Sequence, residues 1–198
     1  MAKEIKFSGY NWIVREDYGG PGPNNFSKDN VYIDKKGYLH LKITCVSGIW
    51  NCSEVYLEKS LGYGTYNFTV KKQPYMDTKA VLGLFTYEND EQEIDIEFSR
   101  WGCKLSPNFQ FVVQPGHSKK FYGYSKNIIS SFVWRANRVE FKSNLWPFKP
   151  KWCYKGSPRN IGKEKVHINL WLDGGNPAAK KEQEIIIKKF KFKKITRR

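Results

Sequence analysis

The sequence predicts an all-β domain, a sandwich or a barrel. Three observations predict it: short alternating or apolar runs recur along the chain, turn residues separate them, and helical periodicity is scarce. The length, 198 residues, suits one domain spanning 1–198, large enough to bury a sizeable core without staples. Apolar residues make up 40 % and aromatic residues 16 %, a folded composition.

The elements follow in order. "VYIDKKGYLHLKIT" reads as two strands around a Lys-Lys-Gly turn. "YGTYNFTVKK" sets Tyr66, Phe68 and Val70 against Thr65, Asn67 and Thr69. "AVLGLFTYE" is an apolar run of buried-strand length. Then come "EIDIEF", "NFQFVVQ", "SSFVWRANRVEFKS", "KVHINLWLD" and "EIIIKKFKFKKI". A helix of a turn or two is expected in "NPAAKKEQE". Residues 18–25 and 148–164 are Gly/Pro-rich loops rather than linkers, and the length of the second suggests a function.

No apolar run approaches a membrane span, and the first residues lack the apolar core of a signal peptide. A membrane partner is therefore not expected. Cys45, Cys52, Cys103 and Cys153 show no zinc-ligand spacing, so free or buried thiols are the plain expectation and no metal site is assigned. Cys45 and Cys52 could face each other across a hairpin.

The net charge is +15, and from Lys188 onward the chain holds seven cations and no acid. A polyanion would suit this charge, as would a merely solvated strand face. Phe190 and Phe192 alternate with lysines and should point inward. That leaves no aromatic platform beside the lysines for single-stranded nucleic acid, so no nucleic-acid partner is expected.

One stretch runs against the charge. "EIDIEF" places Glu93, Asp95 and Glu97 on one face of a strand and Ile94, Ile96 and Phe98 on the other. The apolar face belongs on the core, so the acids must face water or a cleft. Neighbouring carboxylates repel, and each pKa unit costs about 1.4 kcal/mol. A solvated edge strand or a Ca²⁺ site would also hold acids, but an edge favours lysine and Ca²⁺ wants six to eight oxygens. The third reading is glycoside hydrolysis, in which two carboxyls about 5–5.5 Å apart serve as nucleophile and acid/base. Positions i and i+4 lie roughly 13 Å apart along a strand, so both side chains must lean inward across Asp95.

The same motif resembles the catalytic strand of glycoside hydrolase family 16, in particular its bacterial lichenases. "WNCSEVYLEKSLGYGTY" resembles the Asp-Cys-Ala-Glu segment and the Tyr-Gly-rich strand after it. "GLFTYE", "SFVWRANRVEFKS" and "VHINLWLDGG" resemble further family strands, in the family's order, over roughly residues 10–178. The resemblance implies a β-jelly-roll sandwich of two curved antiparallel sheets with a glycan cleft on one face. It implies a retaining endo-β-glycanase with Glu93 as nucleophile, Glu97 as acid/base and Asp95 as the assisting acid. It implies sugar contacts from Glu54, Phe85, Tyr87, Gln110, Asn169 and Trp171, to which Trp101 is added as a candidate stacking surface.

It further implies a polysaccharide substrate, a monomeric extracellular enzyme, no required cofactor and a structural Ca²⁺ at most. A cytoplasmic location is the alternative. A transglycosylase and a non-cleaving sugar-binding jelly roll are the alternative functions. Several positions depart from the lichenase pattern. Glu91 stands for a Trp, Tyr56 for an Arg, and Val112, Val113 and Gln114 for polar residues. The cysteine that would bridge to Cys52 falls near Asn24.

Overall fold

The computed structural model describes residues 2–71 and 76–195. Lys72, at the end of one expected strand, and Arg197 and Arg198 of the basic tail lie outside them. Seventeen strands account for most of the described residues. In the first half these are β1 (Glu4–Phe7), β2 (Tyr10–Val14), β3 (Asp17–Gly19), β4 (Asn24–Phe26), β5 (Val31–Ile33), β6 (Leu39–Val46), β7 (Ile49–Leu57), β8 (Gly64–Lys71) and β9 (Ala80–Tyr87). In the second half they are β10 (Glu93–Phe98), β11 (Phe109–Val113), β12 (His117–Phe121), β13 (Asn127–Arg135), β14 (Arg138–Ser143), β15 (Lys151–Tyr154), β16 (Lys165–Leu172) and β17 (Gln183–Lys194).

Two antiparallel sheets face each other. One runs β1-β2-β7-β16-β9-β10-β11-β12. The other runs β5-β6-β17-β8-β13-β14-β15. The β6–β7 hairpin passes the chain from one sheet to the other, and β4 adds a short parallel pairing to β7. This is the jelly-roll sandwich.

Strand alternation builds the core between the sheets. Ile94, Ile96 and Phe98 of β10 are fully buried against it, with Leu82, Leu84, Ile168 and Leu170 from neighbouring strands. The second sheet supplies Leu39, Leu41, Tyr66, Phe68, Phe132 and Trp134. Each such side chain contributes roughly 1.5–3 kcal/mol of burial. Phe190 is buried and Phe192 half-buried, while Lys189, Lys191 and Lys193 stay in water, as their alternation predicts.

The Lys-Lys-Gly turn has an identifiable cause. The Asp34 carboxylate accepts the N–H groups of Lys36 and Tyr38 at 2.8 and 2.9 Å. Gly37 takes the left-handed conformation at φ 76° that closes it.

Four expectations need correction. "NPAAKKEQE" forms turns, not a helix, because the Asp77 carboxylate takes the N–H groups of Ala178 and Ala179 at 2.9 and 2.6 Å. Both expected loops contain strand: β3 and β4 fall across residues 18–25, and β15 lies within 148–164. The rest of the second loop covers the end of the core. Ser157 and Pro158 accept the Trp134 indole N–H there, away from the acidic strand. Cys45 does not face Cys52, since the turn at Ser47–Gly48 sets Cys45 opposite Trp50.

All four cysteines are free. The Cys52 thiol donates to the Asn24 side-chain oxygen at 3.2 Å, at the position where the resemblance would place a second cysteine.

Candidate active site

The face of the first sheet that turns away from the core carries a cleft of about 440 Å³. Its floor follows from register. One row of paired residues runs Glu54, Asn169, Gly83, Glu97, Gln110, Lys120 across β7, β16, β9, β10, β11 and β12. The next row runs Tyr56, His167, Phe85, Asp95, Val112, Ser118. Paired residues project to the same face, so each row lies across the cleft floor.

Glu93, Asp95 and Glu97 all line the cleft, as their alternation requires. Water is scarce around them, and each is shifted toward the protonated form. Burial pushes Glu93 up to about 7, with the charges of Glu97 and Asp90 adding to it. Burial holds Asp95 well above the usual carboxylate range, reinforced by both glutamates. Asp95 and Glu93 share a hydrogen bond that favours the proton on Asp95 and the charge on Glu93. Burial also raises Glu97, against the hydrogen bond from Gln110 and the charge of Lys120. Gln110 Nε2 donates to Glu97 Oε2 at 2.5 Å.

The expected sugar-contacting residues gather here. Glu54, Phe85, Tyr87, Asn169 and Trp171 line the cleft with the acids. Gln110 reaches the site through Glu97. Trp101 is not in the cleft lining; its ring sets against Trp171 at 6.0 Å and 65°, so it backs the cleft wall.

Other contributors were not expected. Gly83 occupies the middle of the floor in front of Glu97. A side chain there would collide with Asn169 Oδ1, which accepts the Gly83 N–H at 3.1 Å. Gly20 and Pro21, from the expected loop at 18–25, close one wall. His167 stands between the rings of Tyr56 and Phe85, at 5.3 and 5.0 Å and nearly parallel to both. Its position was legible, since it alternates with Asn169 and Trp171 in "HINLWL".

Arg15 is another. It follows β2, and its guanidinium reaches Glu54 at 3.0 Å and Asp17 at 2.7 Å. His167 Nδ1 meets the other Glu54 oxygen at 2.7 Å. The resemblance has an arginine where Tyr56 stands; here a guanidinium reaches Glu54 from the residue after β2, the strand paired with β7. Burial alone would raise the Glu54 pKa, but His167 and Arg15 hold it below the usual range.

A lowered carboxyl contributes stability above its unfolded pKa and loses it as pH falls through the folded one. Arg15→Met keeps packing on the Phe26 ring, which the guanidinium covers at 4.0 Å, and removes the charge. We expect a loss of about 2 kcal/mol in urea unfolding at pH 7, shrinking as the pH is lowered and Glu54 takes up a proton. A loss that does not change with pH would contradict this account.

Among the described residues, no group of three or more His, Cys, Asp or Glu is placed to hold a metal ion. The structural Ca²⁺ implied by the resemblance therefore has no cluster of such side chains to bind it there. Nor is any helix among those residues long and apolar enough to cross a membrane.

Solved structures share this architecture from end to end. A Bacillus licheniformis β-glucanase superposes with a TM-score of 0.74 over 98 % of both chains, at 20 % identity. The chain has the fold of the bacterial β-glucanases.

A Bacteroides ovatus family 16 protein of a mixed-linkage glucan locus, solved with a G4G4G3G product, has the same glucanase fold. It aligns at TM-score 0.70 over 91 % of this chain and 94 % of its own, at 13 % identity. So does an immunostimulatory antigen and pseudo β-1,3-glucanase of Mycobacterium tuberculosis, at 0.72 over 93 % and 91 %, with 17 % identity. No family model and no curated protein matches the sequence. The glucanase fold therefore hosts cleaving and pseudo-enzyme members alike, and function has to be argued from the site.

Proposed function

We propose that this chain is a family 16 glycoside hydrolase, a retaining endo-β-glycanase acting on β-linked glucan or a related polysaccharide. One observation carries the reading. Three carboxylates that cannot all ionise together share one cleft floor with aromatic, amide and carboxylate side chains suited to sugar.

The chemistry divides among them by environment. Asp95, the most buried, keeps its proton and donates to Glu93, which leaves Glu93 able to act as the anion. A Glu93 oxygen attacks the anomeric carbon. The glycosidic C–O bond breaks as Glu97 gives its proton to the leaving oxygen. Water then gives a proton to Glu97 and its hydroxyl to the anomeric carbon, releasing Glu93 as carboxylate. Gln110, bonded to Glu97, fixes where that proton is delivered.

Phe85, Tyr87 and Trp171 offer ring surface to apolar sugar faces, while Asn169 and Glu54 can bond hydroxyls. The cleft continues past Glu54 along Tyr56 and Ile13, which supports endo action on a long chain. We take the protein to act as a monomer, and on such polymers outside the cell.

The test is a panel of lichenan, laminarin, xyloglucan, chitin and sulfated galactans, read by reducing ends and by NMR of the first product. New reducing ends with retained β configuration are expected for at least one polymer. Inverted product would remove the double displacement. Products longer than the substrate would make the enzyme a transglycosylase, and binding without cleavage a sugar-binding jelly roll.

A further inference from the structure

Outside the cleft, four large rings stand in water close together in the fold. Tyr122, Tyr124, Trp146 and Phe148 are 50, 64, 56 and 68 % exposed. Scattered exposed rings are ordinary, but a group of them marks a contact surface.

These rings are held out by a fastened backbone. Tyr124 and Trp146 form an isolated β-bridge, exchanging N–H···O bonds of 3.1 and 2.9 Å, with their rings 5.1 Å apart. Between Tyr122 and Tyr124, the Asn108 side chain clamps both backbone groups of Gly123 at 2.8 and 3.0 Å. A side chain at Gly123 would come within 2.7 Å of Leu145, so the two segments touch through glycine. Leu145 is fully buried and anchors the second segment. The Lys149 N–H closes the turn onto the Leu145 carbonyl at 2.6 Å, with Trp146 and Phe148 between them. The Tyr122 hydroxyl is tied to the Leu105 carbonyl at 2.7 Å. Such fixed rings lose little freedom on binding.

Their place suggests the occupant. Tyr122 directly follows β12, the edge strand beyond the Glu97 side of the cleft. Lys120, two residues earlier, sits in the floor row with Gln110 and Glu97. Tyr122 stands two residues beyond Lys120, just past the end of β12 and roughly 7 Å farther along the chain. A polymer crossing β11 and β12 as it leaves Glu97 therefore passes this corner of the sheet.

We propose that Tyr122, Tyr124, Trp146 and Phe148 form an auxiliary glycan-binding platform that holds the polysaccharide where it leaves the Glu97 side of the cleft. This rests on the reading of the cleft as a glycan site. Rings stack on the apolar faces of pyranoses, and neighbouring Lys126 and Lys149 supply donors for hydroxyls.

The test uses Glu93→Gln, which should bind without cleaving, run through gels cast with lichenan, laminarin or xyloglucan. At least one polymer should retard it. Adding Tyr124→Ala and Trp146→Ala should weaken that binding about tenfold, and Phe148→Ser alone about threefold. These exposed substitutions leave the backbone bridge in place, which a circular dichroism melt verifies.

Absence of retardation by every polymer, or retardation equal with and without the rings, overturns the platform. So does ring-dependent binding to phosphatidylcholine–phosphatidylserine vesicles in place of glycan, or a dimer in sedimentation that the ring substitutions dissociate. Turnover by wild type on short oligosaccharides reports on the cleft separately. Ring-dependent retardation without any turnover would remove the cleft chemistry and leave the platform standing.

Discussion

Glu93→Gln should lower kcat on the best polymer by about 10⁴-fold or more, while the protein still binds that polymer. The amide keeps the shape of Glu93 and can still accept the hydrogen bond from Asp95, but it cannot form the glycosyl ester. Glu97→Gln should lose about 10²- to 10⁴-fold, the usual worth of a general acid. The two losses differ in kind. With a dinitrophenyl leaving group, which departs without a proton, the first step should recover in Glu97→Gln and not in Glu93→Gln.

Wild-type kcat/KM should fall as pH drops below about 7, because there Glu93 is protonated and cannot attack. Loss of the Glu97 proton should limit the rate on the alkaline side of the profile, since the leaving oxygen then departs unprotonated. Stopped-assay kinetics on the panel substrates measure each of these. Retained turnover in Glu93→Gln would move the nucleophile elsewhere.

The same substitution should make the protein more stable. Glu93 is raised from an ordinary 4.5 to about 7, so the folded state holds a proton that the unfolded chain releases. The sign follows from linkage. A raised carboxyl favours folding fully only below its unfolded pKa, and that contribution is lost as pH climbs through the folded value. Below about pH 4.5 wild type and Glu93→Gln should melt alike. Between 4.5 and 7 the gap should open, and above 7 it should level off.

The span from 4.5 to about 7, at about 1.4 kcal/mol for each power of ten, sets the plateau near 3 kcal/mol. For a chain of this size that is a rise in Tm of about 6–12 °C. Calorimetry at pH 4 and pH 8 checks it. A variant that melts at or below wild type at pH 8 would mean that the charge on Glu93 is well solvated. The proposed division of roles among the three acids would then fail. The gain in stability and the loss of turnover have one cause, since the cleft keeps water from a carboxylate that the reaction needs as an anion.

Much of this molecule could be read from residues alone, wherever the information is local. Alternation along "EIDIEF" settled which side of β10 meets the core and which meets the cleft. Alternation along "KKFKFKK" likewise settled that Phe190 turns inward and its lysines outward. The Lys-Lys-Gly turn was legible because one aspartate and one left-handed glycine close it within a few residues. The order of strands and turns determined an all-β sandwich or barrel before any contact was known.

What tertiary structure alone decided is everything that joins distant strands. Arg15 meets Glu54 across 39 positions, and nothing in either segment announces the other. Asp77 captures Ala178 and Ala179 and cancels a helix that local propensity allowed. Gly83 matters only because register sets it between Glu97 and Asn169. Periodicity reports the direction a side chain takes, which depends on its own backbone. The depth of a cleft and the charge a carboxyl can bear depend on which strands become neighbours, and only the closed sheet determines that.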